Sequence, residues 1–128
     1  MMMGIKKRSS DDYKSDKWIL EMFKGWFDPC PLKGIETGPC GLSIAWPHRT
    51  FVNPPYSNPK PWVEWGIEQH HQKGIMVVFL LKHDSSTQWY KLLHEAGARI
   101  MLFSGRLKYQ TGYGANFPSM LAILEDEK

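Results

Sequence analysis

The sequence predicts an α/β sandwich on a largely parallel sheet, and three observations predict it. Residues 75–81 (Ile-Met-Val-Val-Phe-Leu-Leu) are an unbroken apolar run with no alternation, as expected of a strand covered on both faces. Two stretches of helical periodicity flank it: Trp62, Val63, Trp65, Ile67 and Gln69 before, and Trp89, Leu92, Leu93 and Ala96 after. Further strand-like segments stand at 26–27, 51–52, 99–103 and 120–124, with short connections to those helices. Helices alternating with strands in this way argue for a layered sheet whose last two strands can pair antiparallel.

At 128 residues, 42% of them hydrophobic and 23% charged, the chain suits one globular domain with a real core. Residues 1–12, with Lys6, Lys7, Arg8, Asp11 and Asp12 and few apolar positions, read as a solvated, flexible tail ahead of a single domain over 13–128. From Ser15, a good N-cap, the i,i+4 pairs Trp18/Met22 and Ile19/Phe23 give a short amphipathic helix ending near Gly25, with its Trp and Phe expected in the core. Trp26 and Phe27 then read as a short strand stopped at Asp28-Pro29-Cys30-Pro31, and residues 32–48, rich in Gly and Pro, as a loop. The second helix takes Pro61 in its first turn and closes near Gly74. Its Trp62, Trp65 and Gln69, with Val63 and Ile67, read as one apolar stripe. A polar loop, Lys82-His83-Asp84-Ser85-Ser86-Thr87, follows the central strand, and Gly97 ends the third helix. Residues 111–118 form a glycine and aromatic loop before the closing strand.

The net charge of +3 and pI of about 8.9 are compatible with a polyanionic partner without demanding one. No apolar run approaches the ~20 residues that span a bilayer, and the start, Met-Met-Met-Gly-Ile-Lys-Lys-Arg, lacks the apolar core of a secretion signal. A cytoplasmic protein is expected, with Cys30 and Cys40 as reduced thiols. None of the five His has ligand spacing to those cysteines, so no metal is expected.

The chemistry gathers at Phe51-Val52-Asn53-Pro54-Pro55-Tyr56. An exocyclic amine on an aromatic base is a poor nucleophile, because its lone pair is delocalised into the ring. A side-chain carbonyl from Asn53 and the main-chain carbonyl of Pro54 can each accept one of its N–H groups, and such bonds tighten as the nitrogen turns tetrahedral. Two consecutive prolines hold those acceptors with little motion left to lose. Tyr56 adds a flat face for a base swung out of its stack. Taken alone, the same four residues also suit a proline-rich surface turn. Asp28 stands where a strand gives way to a loop, the edge of an open α/β sheet at which ligands bind, although a surface aspartate is equally at home there. Arg106 and Lys108 beside Tyr109 match a phosphate and base contact patch as well as an ordinary charged hairpin.

In their order and spacing these segments resemble the phage-type DNA N6-adenine methyltransferases, small Dam-like enzymes that use S-adenosylmethionine. The resemblance runs from about Tyr13 to Leu124 and rests on Tyr13-Lys14-Ser15-Asp16-Lys17-Trp18, Phe27-Asp28-Pro29-Cys30, Gly41-Leu42 with Trp46, Phe51 to Ser57, Trp62-Val63-Glu64, the strand to Leu81 with Thr87 and Trp89 behind it, and Gly105-Arg106-Leu107-Lys108-Tyr109.

It implies a reduced, Rossmann-like methyltransferase sandwich. Asn53, Pro54, Pro55 and Tyr56 would then form the catalytic turn, and Ser15, Asp28, Pro29, Cys30, Phe51 and Asn53 the S-adenosylmethionine site. Asp28 would hold the ammonium, Ser15 the carboxylate, and Phe51 would line the adenine pocket. Tyr56, Ser57, His83, Thr87, Arg106, Lys108 and Tyr109 would meet double-stranded DNA carrying a flipped adenine. The working form is expected to be a monomer or homodimer, in the host cytoplasm if phage-encoded.

The chain departs from larger methyltransferases in lacking a Gly-x-Gly turn after Asp28, and only Glu36 offers itself as a ribose ligand. Transfer to another planar amine (cytosine N4, an RNA adenine or a glutamine amide) or a catalytically inactive DNA-binding relative are the competing readings.

Overall fold

The computed structural model describes residues 17–30, 41–55, 57–103 and 118–126. Three helices, α1 (Lys17–Met22), α2 (Lys60–Lys73) and α3 (Gln88–Glu95), accompany four strands, β1 (Thr50–Val52), β2 (Val77–Lys82), β3 (Arg99–Leu102) and β4 (Ser119–Leu124). A 3-10 turn at Gly41–Ser43 interrupts the loop before β1. The strands form one open sheet in the order β1-β2-β4-β3. β1 runs parallel to β2, with Thr50 opposite Val77, and β4 is antiparallel to both β2 and β3. β4 thus lies reversed between strands that otherwise share one direction.

Phe27 extends the sheet by a single parallel bridge to Thr50: its N–H donates to the Arg49 carbonyl at 3.1 Å and its carbonyl accepts from Phe51 N at 2.9 Å. The segment expected to be a short strand is therefore one bridge long, because Pro29 ends it before a ladder can form.

Period-2 alternation sends β residues to two apolar layers. Val52, Val77, Phe79, Leu81, Met120, Ala122 and Leu124 pack with Val63, Trp89 and Leu93 on the α2 and α3 face. Phe51, Val78, Leu80 and Leu121 pack with Ile19 and Phe23 on the α1 face. Covering on both faces makes β2 the continuous apolar run seen in the sequence, although one of its two neighbours is antiparallel.

The helix ends follow local chemistry. The Thr87 hydroxyl accepts from Tyr90 N at 3.2 Å and caps α3. Gly74, in the left-handed region at φ 67°, donates its N–H to the His70 carbonyl and closes α2. Gly25, beyond α1, has φ 88°.

One packing expectation is corrected and a second is refined. Trp18 is half exposed, touching Phe103 edge-on at 5.5 Å between centroids, because a helix of six residues buries only Ile19 fully. The expected stripe on α2 does meet one core, with Val63 inside it and Trp62, Trp65 and Ile67 packed against it, but it also carries polar contacts. Val63 faces the sheet, while Trp65 and Gln69 turn to the loop that carries Ile44 and Trp46, where their polar atoms find main-chain partners.

Candidate active site

The parallel bridge between Phe27 and Thr50 sets the site, because it brings the carboxyl ends of two chain segments side by side. Asp28 follows one and Asn53-Pro54-Pro55 the other. Asp28 keeps an exposed face. Its Oδ1 accepts the Cys30 N–H at 2.9 Å, an Asx turn around the buried Pro29. Desolvation by the protein around its carboxyl group pushes the Asp28 pKa above the ordinary carboxylate value, and the Cys30 N–H pulls the other way without cancelling it. A desolvated carboxylate of this kind fits a cationic ligand group, which would return the charge balance that burial removes.

Asn53 is half-buried and Pro54 buried, directly after β1. The Pro55 carbonyl accepts from Asn58 N at 3.1 Å, and Pro59 precedes α2 with its carbonyl accepting from Val63 N. The turn is consequently braced from both sides, by β1 inside the sheet and by the first turn of α2. Ser57 is exposed on that same connection. Phe51 lies lower: it is 5% exposed and stacked on Phe23 at 4.4 Å and 10°. Its ring is occupied by the α1 layer, which leaves little of it for a ligand surface.

The polar loop after β2 reaches the same edge. The His83 N–H donates to the Pro118 carbonyl at 2.9 Å, and its ring meets Tyr90 at 5.9 Å. Asp84 accepts from Ser86 N and Oγ at 3.1 and 2.6 Å, which lowers its pKa, with Lys82 4.0 Å away adding to the effect. Thr87 Oγ1 donates to the Asp84 carbonyl at 2.8 Å while capping α3, so its donor is committed to the fold. Phe103 and Pro118 both lie at this edge, and the segment joining them, with Arg106, Lys108 and Tyr109, therefore starts and ends there. Arg106, Lys108 and Tyr109 themselves lie outside the described residues, as do Ser15, Glu36, Cys40 and Tyr56. Among the described residues no cluster of His, Cys, Asp or Glu could hold a metal ion, and no helix is long and apolar enough to cross a membrane.

The model of the family described as DNA N-6-adenine-methyltransferase (Dam) matches residues 40–123. A DNA N-6-adenine-methyltransferase of Haemophilus phage HP1 (strain HP1c1) is 32% identical over 144 aligned positions, which cover 95% of this chain and 83% of that protein. This chain belongs to the Dam family of DNA N-6-adenine-methyltransferases. No solved structure matches it significantly. The matched span contains the Asn53-Pro54-Pro55 turn, β1 to β3 and all but the last residue of β4, whereas Asp28 lies ahead of it and is reached by the longer alignment to the phage enzyme.

Reasoning from sequence missed the residues that hold the loop before β1. Trp46 is fully buried: its N–H donates to Gln69 Oε1 at 2.8 Å, its carbonyl accepts from Lys73 Nζ, and its indole N–H donates to the Gly41 carbonyl at 2.8 Å. The Trp65 indole donates to the Ile44 carbonyl at 2.9 Å. The signal was present in the spacing of 65, 69 and 73 on α2, a helical face carrying Trp, Gln and Lys where a sheet-facing stripe would carry aliphatics.

Proposed function

We propose that this chain transfers a methyl group from S-adenosylmethionine to the N6 amine of an adenine rotated out of double-stranded DNA. What carries the reading is one juxtaposition: a desolvated aspartate and an Asn-Pro-Pro turn at the carboxyl ends of two bridged parallel segments. That edge is where ligands meet in open α/β sheets, and the reading treats the sheet as a reduced Rossmann-like methyltransferase sandwich. S-adenosylmethionine supplies, when bound, an electrophilic methyl group on a sulfonium sulfur.

The protein's part is to hold and polarise. Asp28 holds the ammonium of the methionine moiety, and the Asx turn through Pro29 and Cys30 fixes the direction of its carboxylate. Ser15 receives the methionine carboxylate. The Asn53 side-chain carbonyl and the Pro54 main-chain carbonyl each accept one N–H of the adenine amine. As the nitrogen leaves the ring plane it gains positive charge, and both bonds strengthen, lowering the barrier selectively. Pro54 and Pro55 keep those acceptors from relaxing away. Tyr56 stacks on the extruded base, and Ser57, His83, Arg106, Lys108 and Tyr109 receive the strand around it. Thr87 serves this loop as the cap of α3, and Phe51 supports the site from beneath.

Asn53→Ala tests the assignment. It should retain S-adenosylmethionine binding by calorimetry and lower kcat by about 10²–10³, the usual loss for one transition-state hydrogen bond. Unchanged transfer would show that the amine is held elsewhere.

A further inference from the structure

The residues of α2 that follow the catalytic turn also grip the loop that supports Asp28. Trp62, Trp65, Gly66, Gln69 and Lys73 recur at 3, 1, 3 and 4 residue steps and share one helical face. Each meets the segment from Gly41 to Trp46. Gly66 has no Cβ where one would overlap Phe79 and stand 3.0 Å from the Trp46 ring. Gln69 and Lys73 take the two main-chain groups of Trp46, and Trp65 takes the Ile44 carbonyl.

At the far end of this loop Gly41 is pressed onto the Asp28 turn. A Cβ there would overlap the Pro29 carbonyl oxygen and stand 2.9 Å from both Pro29 Cβ and Trp62 Cζ3. Only glycine fits, and its carbonyl is held by the Trp46 indole. Pro29 is the central residue of the turn in which Cys30 N–H bonds Asp28. A continuous packed path therefore joins the helix behind Asn53-Pro54-Pro55 to the carboxylate on the neighbouring segment.

We propose that Trp46 and Gly41 are positioning residues for the donor site: held by α2, they press on Pro29 and set the Asp28 carboxylate relative to the Asn53-Pro54 acceptors. The inference rests on the S-adenosylmethionine reading above and adds to it how a chain without a Gly-x-Gly turn fixes its cofactor carboxylate. A loop stapled along α2 replaces the glycine turn. Because one helix braces both halves of the site, a shift of α2 moves acceptor and donor together, which preserves the in-line arrangement that transfer needs.

The experiment compares Trp46→Phe, which keeps a ring but loses the N–H to Gly41, and Gly41→Ala, which drives Pro29 away, with wild type. Two readouts are taken: S-adenosylmethionine affinity by calorimetry, and the titration of the ligand-free Asp28 carboxyl by carbon NMR. Leu93→Ala, a core truncation on α3 that leaves every hydrogen bond of the loop in place, controls for general destabilisation, and Trp65→Phe gives a milder variant should either main variant fail to fold. The expected result is affinity weakened about tenfold or more in both variants and an Asp28 titration moved toward the ordinary carboxylate value. Unchanged affinity and titration in the two variants would overturn the inference, as would an equal affinity loss in Leu93→Ala at matched loss of Tm. Wild-type protein that binds no S-adenosylmethionine would overturn the proposed activity instead. In that event the Asp28 titration still decides the positioning role: moved by the variants it upholds the clamp, and unmoved it refutes it.

Discussion

Asp28 and Asp84 stand at the same sheet edge with opposite pKa shifts, and the difference is one of environment. Ser86 donates twice to Asp84, so its carboxylate is favoured in the fold. Asp84 adds stability above the ordinary carboxylate range, and that contribution is lost as pH falls through its lowered folded pKa. Asp28 is desolvated, so over the interval between the ordinary value and its raised folded pKa the native chain binds a proton that the unfolded chain has released. Its contribution to stability is greatest below that interval and declines as pH rises through it. Asp28→Asn, which keeps an oxygen for the Cys30 N–H, should therefore raise the Tm of the ligand-free protein at neutral pH. It should also weaken S-adenosylmethionine binding about tenfold or more. Thermal melts from pH 3 to 8 with calorimetry check both, and a lowered Tm with unchanged affinity would contradict the assignment. The Asn-Pro-Pro turn was legible in the sequence because proline fixes its own backbone. The desolvation of Asp28 was not, because it arises from contacts made only in the folded chain.

At the level of elements, the helices were legible where capping and periodicity agree. Thr87 and Gly97 bracket α3, and Pro61 and Gly74 bracket α2. Thr87→Ala should cost about 1 kcal/mol of stability through the lost N-cap, while Thr87→Ser keeps the hydroxyl and most of that energy. Urea unfolding of the pair reads the difference, and equal stability of the two would show that the cap contributes nothing. Periodicity could not say which side of α2 meets what. Trp62 and Trp65 are as apolar as Val63, and only the polar ends of Trp65, Gln69 and Lys73 distinguish a loop-gripping face from a sheet-facing one. Trp18 illustrates the same limit: its i,i+4 partner Met22 suggested an inward stripe, yet both are about half exposed because α1 is too short to lie across the sheet with both faces.

For the whole molecule, the alternation of helices and strands gave the α/β class, and the length of the apolar run at β2 marked the sheet's centre. Strand order was not legible, since no local signal in Ser119–Leu124 tells it to enter between β2 and β3. The consequence for function is considerable. With β4 reversed in that place, the connections after Phe27, β1, β2 and β3 all leave from one edge, and among the described residues Asp28, Asn53 and His83 come together there. The central claim is that this edge makes the chain a methyltransferase for adenine N6 in DNA, and it is tested most directly by incubating the purified protein with S-adenosylmethionine and unmethylated double-stranded DNA, then digesting the DNA to nucleosides and identifying the product by mass spectrometry. The account predicts N6-methyldeoxyadenosine from wild type and its near absence from Asn53→Ala; methylated deoxycytidine, or no methylated nucleoside from a protein that melts cooperatively, would contradict it.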